Sequence, residues 1–296
     1  MAIDWDIFNN TAPVLIAGPT ASGKSELALQ IAERFGGDIV NADALQIYAG
    51  WNVLTACPSG AELARAPHHL YRYVPNSTPY SVGKWLGDVA GLLPALPARP
   101  IFVGGTGLFF RSLTEGLVDI PTIAPQFRVQ SEQILATGGL AGLTADLPAP
   151  VQQAIDCNNP KRVQRAWEVW AQTGRHITDW HKDTPPGLID LGHAVPIVLS
   201  PGKDWLNTRI ATRFHQMITQ GALDEALANM PEWDPQLTAN QAIGAPELVA
   251  HLRGEMTLDT AIDLAITATH QYAKRQRTWF RKRMRDWQHI DPALGF

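Results

Sequence analysis

Eight residues near the start of the chain have the types and the spacing to grip a polyanion. Gly18-Pro19-Thr20-Ala21-Ser22-Gly23-Lys24-Ser25 fits the pattern G-x-x-x-x-G-K-[ST]. Gly18 and Gly23 let the backbone curl, so that successive N–H groups across Thr20, Ala21 and Ser22 turn inward. Lys24 adds a mobile positive charge, and the Ser25 hydroxyl has the chemistry of a Mg²⁺ ligand. A helix starting at Lys24 would favour an anion by about 0.3–1 kcal/mol at an exposed site, and by more at an enclosed one. A diphosphate or triphosphate is the expected ligand. The motif does not say what happens to it. A phosphotransferase also needs an acid at a strand end to hold its metal. The strand end at 101–107 (IFVGGTG) carries none. It offers Thr106 and a second glycine turn, suited to close approach by a ligand.

These residues need a frame. Residues 13–17 (PVLIA) are a short apolar run ending at Gly18, and from Lys24 onward Leu27, Ala28, Ile31 and Phe35 recur at helical spacing. Gly36-Gly37 stops that helix, and strands are expected at 38–40, 101–103 and 194–199. Strands alternating with helices imply an α/β fold with a parallel sheet, here a P-loop NTPase-like core. Between about 121 and 186 the strand signals vanish, and Pro148, Pro150, Pro185 and Pro186 bracket helical material. A helical insertion domain is expected at 121–186, with the core formed by 1–120 and 187–296. Residues 205–287 read as helices packed back on the sheet.

The segment 269–285 holds Lys274, Arg275, Arg277, Arg281, Lys282, Arg283 and Arg285 without a single acid. At about 100° per residue, Lys274, Arg277, Arg281 and Arg285 share one stripe of a helix. Ala265, Tyr272, Gln276, Trp279, Phe280 and Trp287 take the far side. A basic ridge backed by a buried face is the footprint of a phosphate backbone. Arg162 and Arg165 add a second basic pair in the insertion. The ten tryptophans sit mostly at helical spacings and read as packing. His68-His69 lacks a third ligand at metal-binding spacing and reads as structural.

The string of motifs resembles one family, the tRNA dimethylallyltransferases, also called isopentenylpyrophosphate transferases. The loop 18–25 has the form G-P-T-A-S-G-K-[ST]. Residues 41–48 (NADALQIY) are similar to N-A-D-S-x-Q-[VI]-Y, 55–58 (TACP) to T-A-K-P, and 67–70 (PHHL) to P-H-H-L. Residues 104–109 (GGTGLF) resemble G-G-T-G-L-Y, and 159–166 (NPKRVQRA) resemble N-D-x-x-R-x-x-R-A. Arg209, Arg213 and Met217 before Gly221, then Gln241-Ala242-Ile243-Gly244 and 271–276 (QYAKRQ), complete the order. The matches run along nearly the whole chain. Departures are Ala44 for serine, Cys57 for lysine, Ala245-Pro246 for Tyr-Lys, and His270 for arginine.

The resemblance implies that the loop Gly18, Thr20, Ala21, Ser22, Gly23, Lys24 and Ser25 holds dimethylallyl diphosphate. The acceptor would be the exocyclic N6 of an adenine 3′ to the anticodon of tRNA. Asp43 would be the general base, although a lone acid there reads first as a turn residue. Arg213 and Thr106 would assist at the diphosphate, with Mg²⁺ on Ser25. Expected RNA contacts are the loop Asp43, Ala44, Leu45 and Gln46, then Arg111, Lys161, Arg162 and Arg165. They continue through Gln241, Ala242, Ile243 and Gly244 to Lys274, Arg277 and Arg281. The loop 43–46 and the segment 241–244 would wall an adenine turned out of its stack, a step that costs a few kcal/mol.

Composition is compatible with this reading. The chain is 45% apolar and 18% charged, in the range of a soluble globular protein. No apolar run is long enough to span a bilayer, and the acidic N-terminus lacks the basic start of a signal peptide. Two cysteines are too few for a disulfide framework, so a reducing cytoplasm is the expected home, and a monomer is expected as well. The net charge of −4 argues against nucleic acid only as an average, because the basic residues cluster. Rival readings are a relative that prenylates free adenine nucleotides, a nucleoside or shikimate-type kinase, and a non-catalytic RNA-binding P-loop module.

Overall fold

Val14–Ala17 forms the first strand (β1), buried along its whole length, and the computed structural model describes residues 3–296 around it. The helix α1, Lys24–Phe35, starts directly from the glycine loop and ends at Gly36-Gly37. The strand β2 is Asp38–Asn41. A short helix α2, Gly60–Arg65, precedes the two-residue edge strand β3, His68–His69. Then follow α3 (Val82–Leu92), β4 (Pro100–Gly104) and α4 (Gly107–Glu115). The insertion supplies α5 (Pro125–Ala145), α6 (Ala149–Ala154), α7 (Pro160–Thr173) and α8 (Ile177–Trp180). The chain returns through β5 (Val195–Leu199), α9 (Lys203–Thr219), α10 (Ala222–Asn229) and α11 (Ala245–Leu252). It finishes with the long α12 (Leu258–Arg283) and β6 (Gln288–Ile290).

The six strands pair in parallel in the order β3-β2-β4-β1-β5-β6. Side chains of a strand alternate between faces, and both faces of this sheet are covered. Leu15, Val40, Phe102 and Val198 pack with residues of α3, α4 and α10–α12, among them Trp85, Phe110, Ala226, Leu248 and Ala265. Val14, Ile16, Ile39, Ile101 and Ile197 pack with Leu27, Ala28 and Ile31 of α1. The register brings Ala17 beside Gly104 and Asn41 beside Val103. The loops after β1, β2 and β4 therefore leave the same sheet edge together, where α/β proteins place their ligands.

Contacts divide the chain into a unit up to Thr114 that resumes at Leu188–Phe296, and a second unit, Glu115–Gly187. The division falls at Glu115, ahead of Pro121. The second unit has its own core of Leu143, Leu147, Val151, Val163, Ala166 and Trp167.

Two expectations change. Helix α12 stops at Arg283, so Arg285 lies in the following turn and is not on the helical stripe. Trp287 is also beyond the helix, although it is buried, edge-on to Phe110. Edge strand β3 has no sequence signal, since His68-His69 is neither β-branched nor apolar, and β6 has only Ile290. Partner strands impose extension there.

Trp85 is fully buried, stacks on Phe109 at 4.3 Å and donates its indole N–H to the Asn41 carbonyl at 2.9 Å. Replacing Trp85 by Ala should cost about 3–5 kcal/mol, the range for a large aromatic lost from a core. Trp85→Phe should cost less. Urea unfolding measures both, and a loss under about 1 kcal/mol for the alanine variant would contradict this packing.

Candidate active site

The glycine loop has the geometry expected of an anion cradle. Gly18 is hemmed in: a Cβ there would stand 3.0 Å from both Leu199 Cβ and Ser22 Oγ. Ala21 adopts a left-handed φ of 61° and tucks its methyl among Leu206, Ile210 and Ala273. Gly23 caps α1 with φ 93°, and the first-turn N–H groups have no acceptor within the helix. Ser22 is wholly buried, yet its hydroxyl has no hydrogen-bond partner. An unpaired buried hydroxyl costs about 1–3 kcal/mol, which an anion in the cradle would recover. Lys24 Nζ donates to the Pro19 carbonyl at 2.8 Å. Its pKa falls to about 8, chiefly through burial, with Asp43 opposing the shift and Arg213 adding to it.

Thr20 through Ser25 line a cleft of about 680 Å³, together with Asp43, Gln46, Arg72, Arg209 and Arg213. A second, mostly apolar pocket shares Thr20, Ala21, Asp43, Thr55, Arg213 and Met217 with it, and adds Leu45, Leu54, Phe214, Ile243 and Tyr272. Asp43 thus faces both spaces. Its carboxylate is held at each oxygen, Oδ1 accepting from Leu45 N–H at 3.1 Å and Oδ2 from Gly105 N–H at 3.3 Å. Burial lowers the pKa of Arg213, with Arg209 adding to the effect. Arg209 donates to the Ala21 carbonyl at 3.0 Å and lies over the Trp205 ring. Burial, then Asp43, pushes the Tyr272 phenol well above its usual range.

Several site residues do something other than expected. Thr106 lines neither space; its hydroxyl accepts from Ala44 N–H at 2.9 Å and so ties down the Asp43 loop. The glycines after β4 are approached by the protein itself. A Cβ on Gly105 would strike Gln276 Nε2 at 2.3 Å, and one on Gly107 would strike Trp279 at 2.3 Å. Gln46 Nε2 donates to the Thr55 and Ala56 carbonyls, shaping the cleft wall. Ala242 is fully buried in the core, so its side chain cannot contact RNA; Ile243 beside it faces the apolar pocket. Gln241 is exposed, and Gly244 holds φ 97° against Phe214 and Leu54. Arg111, Lys274 and Arg281 are exposed and Arg277 half-buried. Lys161, Arg162 and Arg165 belong to the second unit, where Arg162 lies 3.8 Å from Asp156 and Arg165 is half-buried. Burial raises the Cys57 thiol to about 11, which keeps it protonated and unreactive.

Three groups escaped sequence reasoning. Gln276 is buried on α12, and its Oε1 accepts from Thr20 N–H while its Nε2 donates to the Gly105 carbonyl, both at 2.9 Å. It therefore joins the glycine loop to the residue whose N–H holds Asp43. Glu225 accepts from the N–H groups of Asn52, Val53 and Leu54 at 2.5–3.0 Å, fixing the loop that carries Thr55. Arg72 lines the cleft with φ 53°. A polar residue amid an apolar helical face was the one available signal, and it pointed only to Gln276.

Comparison with known proteins finds matches along most of the chain. A family model described as IPP transferase matches residues 46–283, and one described as isopentenyl transferase matches 12–71. The chain is 58% identical to a tRNA dimethylallyltransferase of Dinoroseobacter shibae, covering 98% of each chain. It is 54% identical to one from a Jannaschia species, covering 97% of this chain and 99% of the relative. Among solved structures, a tRNA isopentenylpyrophosphate transferase of Bacillus halodurans superposes with a TM-score of 0.67 at 30% identity, covering 95% of this chain and 90% of the other. A eukaryotic dimethylallyltransferase acting on tRNA shares the fold, with a TM-score of 0.76 at 22% identity over 95% of this chain and 74% of that one.

Two outcomes are expected. In the free protein the Lys24 ammonium prevails below pH of about 8 and is lost above it. Pyrophosphate affinity should fall as pH rises through that value, by up to about tenfold per unit, relative to Lys24→Arg. Calorimetric titrations giving the two proteins the same pH profile would refute it. Gln276→Ala removes two hydrogen bonds of about 0.5–1.5 kcal/mol each and should weaken pyrophosphate binding about 3–10-fold. Unchanged affinity would mean that the loop keeps its shape unaided.

Proposed function

We propose that this chain, which belongs to the IPP transferase family, transfers the dimethylallyl group of dimethylallyl diphosphate to N6 of the adenine 3′ of the anticodon in tRNA. One observation carries the reading: Asp43 borders both the cleft with the glycine loop and the adjoining apolar pocket. A diphosphate in the cleft and an adenine at the carboxylate would meet across that shared wall. Asp43 accepts a hydrogen bond from the N6 amino group, orienting a nucleophile whose lone pair is delocalised into the ring. The N6 lone pair bonds to the allylic carbon, the carbon–oxygen bond breaks, and its electrons leave on the diphosphate. The N6 proton passes to Asp43.

The main barrier is separating an allylic cation from its leaving group. Donors preset around the growing negative charge lower it most. The loop N–H groups, the orphaned Ser22 hydroxyl, Lys24 and Arg213 fit that task. The planar guanidinium of Arg213 suits diphosphate oxygens. Leu45, Leu54, Phe214 and Ile243 give the prenyl chain and the base an apolar lining that excludes water. Thr106 acts through the Asp43 loop.

Among the described residues, no group of three or more His, Cys, Asp or Glu is arranged to hold a metal. The exposed Ser25 hydroxyl at the cleft is one hard oxygen ligand. That set suits Mg²⁺, which keeps waters and takes its remaining ligands from phosphates. When bound, it would neutralise charge on the leaving diphosphate.

Lys274, Arg277 and Arg281 would hold the RNA backbone, with Arg111 and the insertion residues Lys161, Arg162 and Arg165 as further contacts. The anticodon arm is the partner in this reading, and the acting species is a monomer. No helix among the described residues is long and apolar enough to cross a membrane. Two free cysteines fit a reducing cytoplasm.

Purified protein, Mg²⁺, dimethylallyl diphosphate and unmodified tRNA should yield prenylated adenosine by nucleoside mass spectrometry. Asp43→Asn should lower transfer by about 10²–10⁴-fold, the range for a lost general base, while still binding pyrophosphate. Wild-type turnover in that variant would remove Asp43 from the chemistry.

A further inference from the structure

On the other side of the glycine loop lies a separate cavity of about 200 Å³ that shares no lining residue with the two spaces above. Pro19, Leu199, Ser200, Arg277, Arg281 and His289 border it. Its charged groups are all of one sign, since no carboxylate lines it. Neither guanidinium has an ion-pair partner among the described residues. Arg277 and Arg281 are four apart on α12, a spacing at which like charges repel. An oxyanion between them would relieve that repulsion, and guanidinium forks match phosphate oxygens in pairs.

The rest of the wall is preset and carries no carboxylate. His289 Nε2 lies 3.0 Å from the Met284 carbonyl, which can only accept, so Nε2 carries the proton. His289 Nδ1 is hydrogen-bonded to the Ser200 hydroxyl, 2.7 Å away. The pair locks the β5 and β6 ends together and offers no competing negative charge. Pro19 is a thin partition: it lines this cavity, while its carbonyl receives Lys24 Nζ. Gln276, the residue before Arg277, holds Thr20.

We propose that this cavity is a subsite for one phosphate group, gripped jointly by Arg277 and Arg281. The source is a backbone phosphodiester of the RNA or a free phosphate. The RNA source rests on the function proposed above and names the part of the nucleic acid held. A phosphate here would sit one residue along α12 from the Gln276 clamp on the glycine loop.

The test counts phosphates. Each phosphate neutralised contributes about −0.9 to the slope of log affinity against log salt for a duplex, and about −0.7 for a single strand. Binding of unmodified tRNA is measured across a salt series, without dimethylallyl diphosphate, for wild type, Arg277→Gln, Arg281→Gln and the double variant. Two arginines on one phosphate predict that the double variant loses about one phosphate's worth of slope, with each single variant losing less. Two independent contacts on an open ridge would lose about one each and two together, and that result would overturn the shared pocket. In the second arm, orthophosphate is titrated into RNA-free protein while the His289 imidazole resonances are followed by NMR. Saturable shifts that vanish in the double variant, with an unchanged RNA slope, would assign the pocket to free phosphate. No slope change and no shift would refute the proposal. Failure of tRNA to bind wild type at all would instead count against the function.

Discussion

Positive charge gathered at one sheet edge, with too little negative charge to balance it, is the condition on which the site depends. The first-turn N–H groups of α1, the Lys24 ammonium and the guanidiniums of Arg72, Arg209 and Arg213 converge on a single cleft. Asp43, Glu26 and Glu62 line the same cleft, and Glu26 is already paired with Arg65, which leaves two carboxylates against four cations. Burial pulls the Lys24 pKa down to about 8, because its enclosed surroundings solvate that charge poorly. Desolvated charge is costly until it is paired. A polyanionic ligand thus supplies what the protein leaves out. The same imbalance strengthens each contact to a leaving group whose charge grows during reaction.

Holding such a cluster open requires backbone strain and braces. Ala21, Ala56, Leu70 and Arg72 are the non-glycine residues with left-handed φ among those described, and three of the four line the cleft. Each such conformation costs of order 1–3 kcal/mol and persists only where its surroundings dictate it. Those surroundings are visible. Glu225 collects three consecutive N–H groups of the 52–54 loop, Gln46 binds the next two carbonyls, and Asn41 Nδ2 donates to the carbonyls of Asp43 and Leu70. The strand core below, with Trp85 beneath Asn41, gives these braces a rigid base.

Helix α12 works on both its sides. Ala265, Ala273, Gln276 and Phe280 are buried, while Lys274, Arg275 and Arg281 are exposed. Gln276 reaches the glycine loop and Gly105 at once, and Gly105 holds Asp43. A helix carrying cations outward and a polar clamp inward joins the surface to the site through one continuous element.

The loop 18–25, the parallel α/β core and the basic character of α12 could all be read from residue order, whereas Asp43 stood out only through the family resemblance. Each is a local property: a turn that needs glycine, a period of two or 3.6, a run of one charge. What residue order did not reveal is which groups meet. Gln276 looked like one more position on a buried face, and Thr106 like a ligand contact. The first proved to be the brace between the glycine loop and Gly105, and the second to be occupied by Ala44. Ala242 lay within a matching motif and yet is core. Edge strand β3 formed without propensity and β6 with Ile290 alone, because neighbouring strands supply the hydrogen bonds that fix their extension. Contacts separated by as many as 256 residues are set by how sheet and helices pack in three dimensions, and no local pattern of residue types encodes them.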